Sequence, residues 1–484
     1  MIKKISYILI LVFSISLFSC KEVMVNEPNL PRPVKKDLKE IRADGKIKAL
    51  INYSATSYFI YRGQPMGFEY ELLNQYAKSQ GVELEVIPIK NMDSVFIHLN
   101  HGVGDVVAAN LTVTLDRKKQ VDFSSPILFT KQVLVQRKPE NWKKISKKSL
   151  KDSLVNSPLE LGGKTVFVRR ESSFYERLNS LSKEIGEKIK IQVVPGEISM
   201  EQLIEQVAQG TIDYTVADKN IALVNEWQYP NIDASVEVSN EQQIAFALRK
   251  NSDSLTVSIN NWLKAYQKTV AFKLLYKKYY DNRSQHAKRI NDESFTLSSG
   301  QLTPYDETLK KYAPQIPWDW ELVAALIYQE SRFNNSALGW GNSFGVMQFM
   351  PITGAKYGVD STSSAHENIK AGVKYIRYLS KMWEDKIADS TERVKYVLAS
   401  YNVGPGHVFD AYRLAQKYNK NPQLWKEVSY FLKNKSKPKY YKDEVVKHGY
   451  CKGHITYKYV KEIMERYQHY KTAIDTHQEV LAEQ

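Results

Sequence analysis

The chain has 484 residues, enough for two or three folding units rather than one core. With 43% hydrophobic and 25% charged residues, it has neither the composition of a disordered chain nor that of a protein crossing a membrane many times. The net charge of +15 is spread along the sequence rather than gathered on one element, which argues against a nucleic-acid partner and leaves either an acidic polymer or surface, or simply a basic protein.

Lys3 and Lys4 precede an apolar run at 5–18 that is too short to span a bilayer as a helix, so residues 1–19 read as a secretory signal. The stretch Leu17-Phe18-Ser19-Cys20 resembles the lipobox of bacterial lipoproteins. That resemblance implies cleavage before Cys20, lipidation of Cys20 and a membrane anchor. Lys21 stands where an Asp commonly retains lipoproteins in the inner membrane, which favours the outer membrane, facing the periplasm. Residues 20–39, with Pro28, Pro31 and Pro33, read as a tether. Once Cys20 is acylated only Cys451 remains, so no intramolecular disulfide can form and no thiolate metal site can be built. No cofactor and no metal are expected.

Strand-like runs at 47–53, 84–89, 106–109, 165–168, 191–194 and 214–217 alternate with helix-like segments at 69–79, 201–208 and 258–279. This predicts an α/β domain with mainly parallel sheets over 40–280. Ser199 and Gln202 form a capping box, and Gly210 ends that helix before Ile212, Tyr214 and Val216 alternate as a strand. Asp218 then falls at the carboxyl end of a strand, where open α/β sheets bind ligands.

The run Gly104-Asp105-Val106-Val107-Ala108-Ala109-Asn110-Leu111-Thr112-Val113-Thr114-Leu115-Asp116-Arg117, followed by Val121-Asp122-Phe123-Ser124-Ser125-Pro126, resembles the first-lobe signature of family 3 solute-binding proteins, the two-lobed periplasmic receptors for amino acids. Gly67-Phe68-Glu69 and Gly210-Thr211-Ile212-Asp213 fit the same pattern. The resemblance implies that Arg117 and Thr112 hold a ligand carboxylate, that Asp218 holds its ammonium group, and that Ser172 and Ser173 are the hydroxyl pair of the second lobe. Physically, a guanidinium forks onto a carboxylate and an Asp answers an ammonium, so one group in each lobe would clamp a zwitterion. Where the family usually has a Gly before the hydroxyl pair, this chain has Arg170-Glu171, added charge that suits a larger, more polar ligand such as a peptide.

A polar linker is expected at 281–300. In the following segment, 301–475, Pro317 and Asp319 signal a helix start, and Leu322, Val323, Leu326 and Ile327 form an apolar stripe that Glu330 continues. A carboxyl group on a buried face has its pKa raised and stays protonated near neutrality, as a general acid must. Taken alone, Glu330 reads better as a salt-bridging residue at a helix end.

Glu330-Ser331 is followed by Gly345-Val346-Met347-Gln348-Phe349-Met350-Pro351, then Ala399-Ser400-Tyr401-Asn402-Val403-Gly404-Pro405-Gly406, then Thr456-Tyr457-Lys458-Tyr459-Val460. These four motifs, in this order, resemble the soluble-type lytic transglycosylase domain, a mainly α member of the lysozyme superfamily. A solute-binding domain ahead of such a domain is the arrangement of the membrane-bound lytic transglycosylase F family. The resemblance implies cleavage of peptidoglycan glycan strands without water. Glu330 would be acid and then base, Ser331 would steady its helix, Gln348 and Met350 would line the sugar cleft, Tyr401 and Asn402 would sit near the N-acetyl group, and Tyr459 would orient Glu330.

Residues 331–359 contain no Asp or Glu, so a second acid would have to come from more distant residues such as Asp360 or Asp410. Two other readings stay open: a hydrolytic muramidase on the same fold, and a non-catalytic solute- or glycan-binding lipoprotein. Gly339-Trp340 replaces a small hydroxyl-bearing pair, and Trp340 either stacks on a sugar or simply packs. The lysine-rich stretch 433–442 reads as a solvated loop, and 476–484 as a helical or frayed tail.

Overall fold

The computed structural model describes residues 33–89, 91–292 and 294–482; the signal-like run, Cys20 and most of the tether lie outside them. Residues 33–39 belong to the first domain rather than to a tether. Asn251 donates to the carbonyls of Pro33 and Val34, and Asp37 builds a capping box with Glu40 at the start of the helix Leu38–Asp44.

The first lobe is a five-stranded sheet in the order Glu83–Ile89, Lys46–Asn52, Val106–Ala108, Ala247–Leu248, Asp122–Phe123. The first three are parallel, and Ala247–Leu248 runs antiparallel to both its neighbours. The second lobe orders Lys190–Val194, Thr165–Arg169, Tyr214–Asp218, Gln132–Arg137 and Ile232–Asp233, again with the parallel pairs on one side and antiparallel pairs on the other. A ribbon of Leu128–Thr130 paired with Gln242–Ile244 carries the chain between the lobes. The sheets are therefore mixed, because the chain returns through each lobe on short antiparallel strands that local patterning leaves unmarked.

The helix Met200–Gln209 forms as expected. Gln202 N donates to Ser199 Oγ at 3.1 Å, Ser199 N to Gln202 Oε1 at 2.7 Å, and Gly210 takes φ 84° at the C-terminus. The single helix expected at 258–279 is instead two, Asp253–Tyr266 and Val270–Tyr280, because Thr269 caps the second by accepting from Phe272 N. The polar stretch after 281 is also helical in part: Arg283–Ile290 buries His286 and Arg289.

In the second domain the helix Trp320–Ser331 is buried on almost every side, Leu322 through Tyr328 all being enclosed. The helices Ala365–Glu384, Ser390–Val403 and Pro405–Lys417 pack in succession, and the long helix Gly453–Ala482 lies against Trp320–Ser331, Ser390–Val403 and Trp425–Asn434. The stretch 433–442 is no solvated loop. Lys435 is wholly buried and ion-paired to the equally buried Asp410, since the chain turns inward between Trp425–Asn434 and Pro438–Tyr441.

The two domains share one apolar core, and a hairpin of the first lobe, Phe59–Tyr61 with Gln64–Met66, forms the join. Gln64 Nε2 donates to the Tyr328 hydroxyl at 2.6 Å, and the Tyr470 hydroxyl to Gly63 O at 2.9 Å. Tyr58 bonds His469 at 2.8 Å. Among the described residues, no helix is long and apolar enough to cross a membrane.

Candidate active site and ligand cleft

Glu330 occupies the last turn of Trp320–Ser331, which Arg332 ends in a left-handed conformation (φ 52°). Its side chain is half-buried, and desolvation pushes its pKa up to about 7, against the opposing pull of a hydrogen bond that the Tyr459 hydroxyl donates to Oε1. No charged group figures among the causes of this shift. Tyr459 comes from the long C-terminal helix, 129 residues away.

The acids named as distant partners are committed elsewhere. Asp410 binds Lys435 and Arg413 and accepts from the backbone of Lys447 and His448. Asp360 holds an exposed turn through Thr362.

Around Glu330, Ser331 Oγ donates to Val346 O at 2.8 Å and so ties the helix Trp320–Ser331 to the loop that follows. The Tyr401 hydroxyl donates to Met347 O at 2.7 Å and is coupled electrostatically to Glu330, so Tyr401 and Glu330 are neighbours. Asn402 is exposed, with Oδ1 accepting from Thr456 at 2.8 Å. Met350 is 40% exposed at the start of Pro351–Tyr357.

Gln348 does not present its amide to a sugar. Its Nε2 donates to Ala337 O and Gly345 O, and its Oε1 accepts from Ser343 Oγ at 2.8 Å, which satisfies the amide inside its own loop. Gln348, at φ 49°, shapes that loop rather than contacting substrate. Trp340 is 90% exposed, which removes packing as its role.

In the first domain the cleft between the lobes brings together Thr112, Arg117, Ser172, Ser173 and Asp218. The lobes are closed on one another. Ser173 Oγ donates to Thr112 Oγ1 at 3.2 Å, Asn110 Nδ2 to Asp218 Oδ2 at 2.6 Å, and Met92 N to Gly196 O at 3.2 Å. Asp218 is buried and its Oδ1 has no partner; desolvation raises its pKa to about 7 even though Arg117 and Arg169 oppose the shift. Arg117 is drawn down to about 10 by burial and then by Arg169.

Ser172 lines the cleft, but its hydroxyl is spent on capping Ser173–Ile185 and on Arg169 O. Arg170 and Glu171 are exposed and outside the lining, so they do not enlarge the site as their charge suggested; Glu171 takes φ 51°, a conformation that favours Gly. Three lining groups escaped the reading of the sequence: Asn110, Arg169 and Glu201. Asn110 lies within the first-lobe signature, whereas Arg169 falls just past the strand-like run at 165–168 and Glu201 inside a helix-like segment. Among the described residues, no cluster of three His, Cys, Asp or Glu side chains could hold a metal ion.

Residues 51–282 match the family described as bacterial extracellular solute-binding proteins, family 3, and residues 307–424 match the transglycosylase SLT domain. A protein of Desulfosudis oleivorans named "Membrane-bound lytic murein transglycosylase F" is 35% identical over 436 residues, covering 88% of this chain and 90% of its own. A protein of Saccharophagus degradans with the same name is 30% identical, covering 88% and 82%. An ancestral arginine-binding protein bound to arginine matches 49% of this chain and 98% of its own at 26% identity, with a TM-score of 0.41. The two domains stand in the same order as their motifs in the sequence, and similarity to the first two relatives runs across both, so the chain belongs to the membrane-bound lytic murein transglycosylase F family.

Proposed function

We propose that the protein is a peptidoglycan lytic transglycosylase that cuts the β-1,4 bond between N-acetylmuramic acid and N-acetylglucosamine without water. The observation that carries this is Glu330: a half-buried carboxyl, with a pKa near 7 and a tyrosine rather than a second carboxylate as its partner. Because the Tyr459 hydroxyl donates to Oε1, the acid proton resides on Oε2. From there it passes to the glycosidic oxygen as the bond from that oxygen to the muramic C1 breaks. The resulting carboxylate takes the proton of the muramic C6 hydroxyl while that oxygen closes on C1, giving a 1,6-anhydro ring. One group thus serves as acid and base, which microscopic reversibility allows. Exposed Trp340 and Asn402 supply a stacking face and a side-chain amide for the glycan.

The first domain clamps a small zwitterionic or peptide ligand, Arg117 with Thr112 and Ser173 taking a carboxylate and Asp218 an ammonium. Asp218 Oδ1, buried and unpartnered, supports this reading. Lipidation at Cys20 would hold the enzyme at the outer membrane facing the periplasm, an expectation resting on the lipobox-like run.

Mass spectrometry of digested peptidoglycan tests the reaction. Anhydromuramic ends are expected; products heavier by one water would make the enzyme a hydrolase, and wall-degrading activity undiminished in Glu330→Gln would refute the catalytic role of Glu330.

A further inference from the structure

We infer that Arg169 is a specificity-determining residue of the first domain's cleft, reading a second carboxylate on the ligand beyond the one held at Arg117. The inference rests on the reading of that cleft as a zwitterion clamp and adds to it the chemical class of what is clamped: an amino acid or peptide end that is itself acidic.

Arg169 is the last residue of Thr165–Arg169, and Asp218 the last of Tyr214–Asp218, two strands that pair in parallel within one sheet. The two side chains therefore emerge at the same carboxyl edge, and both line the cleft. Arg170, the next residue, begins the turn after the strand and is exposed.

The Arg169 guanidinium makes no hydrogen bond or ion pair with any described residue. This differs from Arg117, which donates to Thr112 O at 2.9 Å, and from the buried Arg249, which is paired to Asp105. Arg169 feels Glu201, Asp93 and Asp218 electrostatically, yet none of the three bonds to it, so its planar fork of donors is unspent. The side chain is half-buried in the cleft, and bidentate contact with a carboxylate is the geometry a guanidinium fits best. Arg169 also depresses Arg117, so the cleft holds two cations close enough to repel. One carboxylate at Arg117 would relieve half of that.

On the opposite side of the balance, Glu201 Oε2 and Asp93 Oδ1 are buried without partners, and so is Asp218 Oδ1. They keep the site from being a general anion trap, and a ligand must bring positive charge along with its acidic groups.

Titration calorimetry on the full-length protein tests this with two matched pairs of probes, glutamate against glutamine and the dipeptide Ala-Glu against Ala-Gln. The acidic member of at least one pair is expected to bind at least about tenfold more tightly. Arg169→Gln should bring the two members within about twofold while the neutral member still binds, which also shows that the variant is folded; Arg169→Lys should restore part of the preference. Equal binding of both members by the unsubstituted protein, or a preference that survives Arg169→Gln, overturns the role of Arg169 and leaves the clamp standing, provided that Arg117→Ala abolishes binding. Failure of all four probes to bind, or binding indifferent to Arg117→Ala, overturns the clamp and Arg169 with it.

Discussion

Burial makes Glu330 an acid at neutral pH, and the hydroxyl of Tyr459 moderates that effect. Activity should therefore fall as pH rises through about 7, where the acid form is lost. Tyr459→Phe removes the bond that lowers the pKa, so the falling limb of the kcat/KM profile should move up by about one pH unit, with a lower plateau because the carboxyl is no longer oriented. The same shift has a stability consequence. The ionised form is disfavoured in the fold, so the cost is absent below about pH 4.5, develops through pH 7 and reaches an order of 3 kcal/mol above it. Scanning calorimetry should show Glu330→Gln melting higher than the unsubstituted protein at pH 8 and level with it at pH 4. The position of Glu330 on an apolar face was legible from spacing. Its partner was not, because Tyr459 lies 129 residues away and only the packing of the two helices brings them together.

At the scale of elements, local chemistry was read well where it is local and poorly where a neighbour decides. The capping box at Ser199 needs only residues three apart and formed as expected. The break at Thr269 is also a cap, but apolar periodicity runs through it and hides it. Lys435 shows the larger failure. Five lysines in ten residues look solvated, yet one turns inward to Asp410, whose other contacts are Arg413 and the backbone of Lys447 and His448. Those bonds pin the stretch that leads into the helix carrying Tyr459. Lys435→Ala leaves Asp410 buried and short of its counter-ion, and should cost the catalytic domain about 3–5 kcal/mol in denaturant unfolding. Exposed Lys437→Ala should stay within about 0.5 kcal/mol. Gln348 belongs to the same lesson, since its motif marks a site but its amide is consumed by the loop it stabilises.

For the whole molecule, the join between domains runs through the hairpin tip at Gly63, at φ 71°, where a Cβ would lie 2.5 Å from the Tyr470 hydroxyl and 2.6 Å from the Tyr328 ring. Tyr328 is two residues before Glu330, and Tyr470 shares the long helix with Tyr459, so ligand-driven movement of the first lobe would reach both catalytic partners through packed side chains. Gly63→Ala should split thermal unfolding into two separate transitions by calorimetry and weaken any effect of cleft ligands on turnover. Legible in the sequence by itself were the order of the two domains, the family of each, and Glu330, Arg117 and Asp218 as candidates for catalysis and for clamping a ligand, because these rest on short motifs and on periodicity, which are properties of neighbouring residues. The tertiary structure alone decided the partner that sets the pKa of Glu330, the burial of Lys435, the unspent charge of Arg169 and the contact between domains. Each of these depends on residues far apart in the chain meeting where water is excluded, and desolvation has no signature in local sequence.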